Sequence, residues 1–173
     1  MKLENCVVVV TGSGSGIGRA SAIEFSKEGA KVVVADKNFD GAEETVNQIK
    51  RIGGFAVAFE TDVSKPESVQ QLLDFTLKSF EKVDALMNNA AIQINKTVED
   101  MTFDEWNLQL AINVGGIFLT SKLFLPFLRE AKGCIVNMSS VNSFFVEPMC
   151  AGYCATKAAI VGLTKAMAID HGH

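Results

Sequence analysis

The sequence has little histidine, no Cys-x-x-Cys pair and no concentration of charge, and each shortage removes a class of function. Its two histidines, His171 and His173, lie at the C-terminal end, so neither a histidine-based triad nor a three-histidine metal site is available, and we predict no metal. The four cysteines show no Cys-x-x-Cys spacing; we expect reduced thiols, with Cys134 in a buried strand. Basic residues are dispersed and the net charge is −4, which argues against a nucleic-acid partner.

Long apolar runs are also missing. The longest uncharged run, 106–121, contains Asn, Gln and two glycines and falls short of the roughly 18 to 20 apolar residues that a membrane span needs. The N-terminal segment MKLENCVVVV carries an early Glu4 and an apolar run too short for a signal sequence. We therefore expect a soluble, cytoplasmic protein without a membrane partner.

Strand and helix patterns alternate along the whole chain. Apolar runs predict strands at 7–10, 31–36, 55–60, 83–87 and 134–138. Amphipathic segments predict helices at 17–27, 40–51, about 64–80, about 102–130 and 152–169. Ser64 with Glu67, and Thr102 with Glu105, match the capping-box pattern at two helix starts. The order predicts an α/β fold with a doubly wound, Rossmann-like parallel sheet in three layers, forming one domain over 1–173.

A glycine-rich segment, TGSGSGIG, follows the first predicted strand. Gly12, Gly16 and Gly18 lie between strand and helix, where absent side chains allow a tight turn and a close approach of backbone N–H groups to a phosphate. Glycines of this kind can also form a simple turn. Asp36 ends the second strand, eighteen residues after Gly18, where a carboxylate can accept both ribose hydroxyls of an adenosine.

The position of Asp36 favours NAD over NADP. A 2′-phosphate beside this carboxylate would experience like-charge repulsion, although the neighbouring Lys37 could offset part of it. The alternative role for Asp36 is to cap a turn or helix, which is common for Asp after a strand.

Tyr153 and Lys157 lie four residues apart in the last predicted helix, so their side chains share one helix face. A free phenol has a pKa of about 10, and proton transfer near neutral pH therefore needs a nearby cation that stabilises the phenolate. Taken alone, such a pair is also common on solvated helix faces. Together with the glycine segment, it indicates a nucleotide-dependent oxidoreductase.

Further motifs complete a family signature: Asp62-Val63, NNAA at 88–91, Asn113, the pair Ser139 and Ser140, and YCATK at 153–157. With them the chain resembles the short-chain dehydrogenase/reductase family, in its NAD-preferring branch, over essentially its whole length. Two departures stand out. Ala91 occupies a position that is usually Gly in the family, and the usual C-terminal strands and substrate lid are absent from this sequence.

The resemblance implies roles for individual residues. The implied catalytic set is Asn113, Ser140, Tyr153 and Lys157, with Ser139 as the fallback for Ser140. Tyr153 would exchange the substrate proton, Lys157 would assist it, and Ser140 would bind the substrate oxygen. Asn113, before two glycines, would hold a proton-relay water at a helix kink that could expose it; the alternative is a cap or a helix-packing notch. The implied cofactor-binding residues are Gly12, Ser15, Gly16, Ile17, Gly18, Asp36, Asp62, Val63, Asn89, Ala90, Tyr153 and Lys157.

The predicted function is NAD-dependent hydride transfer between a nicotinamide cofactor and a secondary alcohol or ketone. Polar residues in the loops 91–100 and 141–149 suggest a small polar or polyhydroxy substrate. The alternatives are an NADPH-dependent 3-oxoacyl-type ketoreductase and a catalytically incomplete nucleotide-binding fragment. Surplus apolar residues on the two long helices, 104–130 and 152–169, suggest a homodimer or homotetramer; examples are Phe118, Leu119, Leu123, Phe124, Phe127 and Leu128.

Overall fold

A computed structural model describes residues 2–172 and contains, over that range, one five-stranded parallel sheet with helices on both faces. The strands are β1 (Val7–Thr11), β2 (Lys31–Asp36), β3 (Phe55–Glu60), β4 (Ala85–Asn88) and β5 (Cys134–Asn137). The helices are α1 (Gly16–Lys27), α2 (Phe39–Arg51), α3 (Pro66–Phe80), α4 (Phe103–Leu110), α5 (Gly116–Glu130) and α6 (Ala151–His171). The sheet order is β3-β2-β1-β4-β5, which confirms the predicted doubly wound α/β fold.

The central strands form because their valines are buried on both faces of the sheet. Val8 pairs with Val32 and Val9 with Val33 across β1 and β2. Since successive side chains point to opposite faces, Val8 and Val32 pack against α1 and α2, whereas Val9 and Val33 pack against α3 and α5. Two hydrophobic cores, one on each side of the sheet, produce the three-layer arrangement.

The long helix predicted for 102–130 is interrupted by a π-helical turn. Thr102 and Glu105 form the predicted capping box, and α4 then runs into the π-turn Ala111–Gly115 before α5 begins. A π-turn inserts one extra residue into a helix and is frequent at functional sites. The expected irregularity beside Gly115 and Gly116 is thus present.

By length and composition alone, the continuous helix Phe103–Glu130 is long and apolar enough to cross a membrane. The uncharged run 106–121 was too short for that prediction, but the helix has further apolar residues after Lys122. Phe124 and Leu128, fully buried, pack against the sheet and α3. Only 33% of the most apolar stretch of this helix is buried, so packing on the sheet and α3 accounts for part of its apolar surface.

The capping box predicted at Ser64 and Glu67 is wrong. Pro66 occupies the first turn of α3 and Lys65 precedes it as the N-cap, with no side-chain hydrogen bond. Proline is well suited to that position because its missing N–H would be unpaired there anyway. The hydroxyl of Ser64 instead donates to Asp62, at 2.6 Å.

The fourth strand is also displaced, to Ala85–Asn88, because Asp84 binds the backbone of Val7 before the ladder begins.

Strand β5 lies at one edge of the sheet and pairs with β4. Cys134 is exposed there, contrary to the expected burial, and Val136 is 49% exposed. On α5, two of the residues expected to mediate self-association, Phe124 and Leu128, belong to the core, whereas Phe118 is 52% exposed. The structure thereby narrows the apolar surface predicted for subunit contacts.

Candidate active site

The glycine segment forms a tight loop between β1 and α1. Gly12 has a φ of 64°, and an added Cβ would lie 2.7 Å from Cα of Ala90. At Gly18 an added Cβ would collide with the carbonyl of Gly12. Gly16, with a φ of 53°, faces open space, with no atom within 4 Å of an added Cβ. The loop is therefore closed on the protein side and open at Gly16, where its backbone is accessible to a ligand.

Asp36 binds this loop directly. Its Oδ2 accepts a hydrogen bond from the N–H of Gly14 at 2.7 Å, and its Oδ1 accepts one from Asn38 at 2.9 Å. An added Cβ at Gly14 would lie 2.9 Å from the carboxylate, so glycine is required for the approach. Each carboxylate oxygen has a further lone pair, and the side chain lines the same cleft as Gly16.

Asp62 and Val63 follow β3 at the neighbouring corner. The carboxylate of Asp62 lies 3.2 Å from the ammonium of Lys37. Burial tends to raise the pKa of Asp62, but hydrogen bonds from the hydroxyl and backbone of Ser64, together with Lys37, outweigh it and lower that pKa. Val63 is 7% exposed and packs on Gly116, where an added Cβ would lie 2.8 Å from its Cγ2. This corner is thus tied to the start of α5.

Asn89 joins the ends of β1 and β4. Its Nδ2 donates to the carbonyls of Thr11 and Gly12, at 3.1 and 2.9 Å. The hydroxyl oxygen of Thr11 accepts from the backbone N–H groups of Asn89 and Ala90, at 3.1 and 3.2 Å. Ala91 follows with a backbone outside the left-handed region, so its methyl group is tolerated where the family usually has Gly.

Nine of the ten cofactor-binding residues predicted outside α6 surround one cleft of about 400 Å³. The exception, Gly18, is buried behind Gly12, where it maintains the shape of the loop. Ile17, an apolar residue that lines the cleft, has a side chain that is 63% exposed. The residues lining the cleft are Gly12, Ser15, Gly16, Ile17, Asp36, Lys37, Thr61, Asp62, Val63, Asn89, Ala90, Ala91, Ile92 and Ile112.

Tyr153 and Lys157 lie on one face of α6, as predicted. The Nζ atom of Lys157 is 5.4 Å from the ring centroid of Tyr153 and donates to the carbonyl of Met138 at 2.7 Å. Lys157 is only 2% exposed, and burial lowers the pKa of its ammonium below the ordinary lysine value. When Lys157 is protonated, its buried positive charge can stabilise the phenolate form of Tyr153.

The two serines after β5 have different partners. The hydroxyl of Ser139 donates to the carbonyl of Lys157 at 2.9 Å. The oxygen of Ser140 accepts from the backbone N–H of Asn142 at 3.1 Å, which leaves its own proton for another acceptor. This difference supports Ser140 over Ser139 as the residue that can bind a substrate oxygen.

Asn113 lies in the π-turn but is completely buried, so the expected exposure of its side chain to water is wrong. Its Oδ1 accepts from the N–H of Ile92 at 2.8 Å, and its Nδ2 donates to the carbonyl of Ile92 at 2.8 Å and to Thr156 at 3.1 Å. The side chain thus connects the loop after β4 with α6.

Sequence reasoning missed several residues that build this site. Thr11, Thr156 and Gln109 are all buried, at 2%, 0% and 0% exposure. A threonine that ends a buried strand before a glycine loop is a usable signal for Thr11. A polar residue on the helix face of Asn113, one turn earlier, is a similar signal for Gln109. No group of three or more His, Cys, Asp or Glu residues that could hold a metal occurs within residues 2–172.

Comparison with known proteins identifies the class to which this architecture belongs. The family model for short chain dehydrogenase matches residues 6–173. The chain therefore belongs to the short-chain dehydrogenase/reductase family.

Relatives and solved structures extend the match over nearly the whole chain. It is 38% identical to a meso-2,3-butanediol dehydrogenase from Serratia marcescens, covering 99% of this chain and 68% of that protein. It is 37% identical to 3beta-hydroxysteroid dehydrogenase 1 from Eggerthella lenta, covering 98% and 66%. A crystal structure from Burkholderia xenovorans, assigned to the same family, superposes with a TM-score of 0.95 at 28% identity, covering 99% and 71%. The chain spans about two thirds of the length of the curated relatives it matches.

The burial of Lys157 has a consequence for stability against pH. Because its folded pKa is lowered, the unfolded chain binds more protons than the folded chain between the folded and unfolded pKa values. The contribution of Lys157 to the free energy of unfolding therefore rises with pH across that window, up to about 10.4. We expect the stability of the wild type relative to Lys157→Met to increase as pH rises through that window.

Urea denaturation of both proteins from about pH 7 to about pH 10 measures this difference. Lys165→Met, on an exposed position of the same helix, is the matched control. A stability difference between wild type and Lys157→Met that does not change with pH would contradict the assignment.

Proposed function

We propose that this protein is an NAD-dependent oxidoreductase that transfers a hydride between the nicotinamide cofactor and a secondary alcohol or ketone. The observation that carries the proposal is the buried Lys157 beside Tyr153, together with a glycine-bounded cleft that has an acidic end at Asp36 and whose residue Ile92 is joined to α6 through Asn113. In a parallel sheet all of these loops follow the carboxyl ends of the strands, where ligands of such folds bind.

The residues present fit a dinucleotide. Gly16 presents open backbone, the N-terminus of α1 favours a negatively charged phosphate, and the carboxylate of Asp36 can accept ribose hydroxyls. Bound NAD would supply the carbon that accepts or returns a hydride. The protein's part is to hold that cofactor along Gly12–Gly18, Asp36, Asp62, Val63, Asn89 and Ala90.

Proton transfer falls to Tyr153. As a phenolate it would remove the proton of the substrate hydroxyl during oxidation, and as a phenol it would return the proton during reduction. Lys157 would stabilise the phenolate through its positive charge and contact the cofactor ribose. Ser140 would hydrogen-bond the substrate oxygen, and Asn113 would maintain the geometry between the loop after β4 and α6.

Replacing Tyr153 with Phe tests this mechanism, because it removes the acid/base group and leaves the ring. We expect turnover of secondary alcohols with NAD to fall by roughly 10²- to 10⁴-fold, with a much smaller change in NAD affinity, because the aromatic ring and Lys157 remain. Turnover is followed by NADH absorbance and NAD binding by calorimetry. Near-normal turnover in Tyr153→Phe would exclude Tyr153 as the acid/base.

Two observations support NAD rather than NADP. The carboxylate of Asp36 lines the cleft, and a 2′-phosphate beside it would meet like charge. Lys37, the cation that could compensate, is instead paired with Asp62 at 3.2 Å. Lys37 therefore does not neutralise the negative charge of Asp36 at the adenosine end of the cleft.

Asp36→Asn removes this charge but keeps an oxygen that can accept from Gly14. We expect NAD affinity to fall roughly tenfold or more, because hydrogen bonds to a charged acceptor are worth about 1.5–3 kcal/mol, and we expect the NADP-to-NAD affinity ratio to rise. Asp40→Asn, an equal change in charge at an exposed position in the first turn of α2, is the control. An unchanged ratio in Asp36→Asn would argue against this basis for NAD preference.

The substrate is proposed to have an apolar carbon skeleton, which revises the sequence-based preference for a polar one. In the structure Asn142 is buried and donates to Glu147, and Gln93 donates to Asn95 and Cys150. The polar groups behind the earlier preference therefore bind one another. The loop after Ser140 instead exposes Phe144, Phe145 and Val146, by 74%, 74% and 77%.

The relatives are named for secondary alcohols of different polarity: meso-2,3-butanediol, a 3beta-hydroxysteroid and cyclohexanol, the last from Acinetobacter sp.. In a panel of secondary alcohols assayed with NAD, we expect cyclohexanol and a 3beta-hydroxysteroid to react faster than a hexitol. A hexitol that reacted fastest would restore the polar alternative.

We also propose a cytoplasmic homodimer or homotetramer that forms through the exposed parts of α5 and α6. Phe118 and Ile169 are 52% and 74% exposed on these helices, which leaves apolar surface for a second subunit. Sedimentation that showed only monomer would contradict the oligomeric part.

A further inference from the structure

Gln109 is a completely buried amide on α4, outside the residues assigned to catalysis or cofactor binding. Its Oε1 accepts a hydrogen bond from the backbone N–H of Ile94 at 3.1 Å. Its Nε2 lies 3.6 Å from the sulfur of Met101, and a thioether is only a weak acceptor. Burying an amide costs free energy unless it is hydrogen-bonded, so the bond to Ile94 is the main compensation for this burial.

Gln109 and Asn113 bind the loop after β4 as a pair. They are four residues apart and share one face of the helix. Asn113 binds the N–H and carbonyl of Ile92, whereas Gln109 binds the N–H of Ile94. Ile92 and Ile94 are two residues apart, and burial alternates along 91–96, as in an extended chain. The two amides therefore hold this segment as a neighbouring strand would.

The same two amides contact α6 on either side of Tyr153. An added Cβ at Gly152 would collide with Nε2 of Gln109. Asn113 donates to the hydroxyl of Thr156, at 3.1 Å, and that hydroxyl donates to the carbonyl of Tyr153 at 2.7 Å. Gln109 thus contacts the residue directly before Tyr153, and Asn113 reaches Tyr153 through Thr156.

The loop is also attached to the start of α6 from its other side. Lys96 forms an isolated bridge with Cys150, and Gln93 donates to the sulfur of Cys150 at 3.2 Å. The segment 92–96 therefore contacts both Gln109 on α4 and Cys150, the N-cap of α6. Any displacement of this segment changes its position relative to Tyr153.

We propose that Gln109 is a positioning residue that sets the spacing between the Ile92–Ile94 segment and Tyr153, and hence the width of the substrate site. The inference rests on the proposed function, in which this loop and Tyr153 border the substrate. Gln109 acts through Ile94 and Gly152, without contacting the reacting atoms.

The test uses Gln109→Met, which is similar in length but lacks the amide oxygen. We expect kcat/KM for the best alcohol of the panel to fall about tenfold, chiefly through KM, with the dissociation constant of NAD unchanged. Amide hydrogen exchange of the segment 92–95 should accelerate. Gln109→Glu, in its protonated form, is close in shape to Gln and keeps an acceptor for Ile94, so activity should recover at a pH low enough to protonate the buried carboxyl group. Gln70→Met, on an exposed position of α3, is the matched control.

A second variant approaches the contact from α6. Gly152→Ala keeps Gln109 but displaces its amide, and should produce the same rise in KM without a change in NAD affinity. If Gln109→Met does not fold, Gly152→Ala alone provides the test.

The outcomes separate this inference from the proposed function. A wild-type protein that binds NAD but oxidises no alcohol overturns the proposed function, and the role of Gln109 with it. Wild-type turnover with an unchanged KM in both variants overturns this inference alone. A parallel loss of NAD affinity in both variants would make Gln109 a general structural residue and would likewise overturn the inference.

Discussion

The hydrogen bonds that join the ends of β1 and β4 are the constraint on which the site depends. The sheet order reverses at this point, since β2 lies on one side of β1 and β4 on the other, and a crevice opens where the two loops diverge. Thr11 and Asn89 hold the loops together at the base of the crevice through four hydrogen bonds. The glycine loop and the loop that carries Ile92 then form the two sides of the cleft.

Close backbone approach is the recurring means by which this scaffold reaches its geometry. Gly14 allows Asp36 to reach the loop, Gly116 allows Val63 to pack on α5, and Gly152 makes room for Gln109. In each case a missing side chain on one element admits a side chain from another. Glycines in this chain therefore mark close tertiary contacts as well as turns. Only the glycines of the loop after β1 have the spacing of a known nucleotide-binding motif.

Much of the fold and the cofactor cleft could be predicted from the sequence, because their signals are local. Four valines in a row, a glycine loop and an aspartate at the next strand end are read without knowing the tertiary structure. The errors arise where a distant partner changes a local preference. Ser64 matches a helix cap but binds Asp62, and Asn113 was expected near water but is buried by the backbone of Ile92, twenty-one residues earlier. Gln109 looks like an ordinary polar residue of an amphipathic helix until the loop is placed against it.

The π-turn at Ala111–Gly115 has a consequence for how this segment can vary. One extra residue rotates everything after the turn by about 100° relative to an uninterrupted α-helix. Gln109 and Asn113 can therefore face the loop and α6, while Phe124 and Leu128 still face the sheet. A single-residue deletion would restore a regular helix but would turn either the amides away from the loop or the phenylalanine out of the core. This helix can therefore tolerate substitutions more readily than a change of its length by one residue. A regular α-helix over the same segment is incompatible with the site.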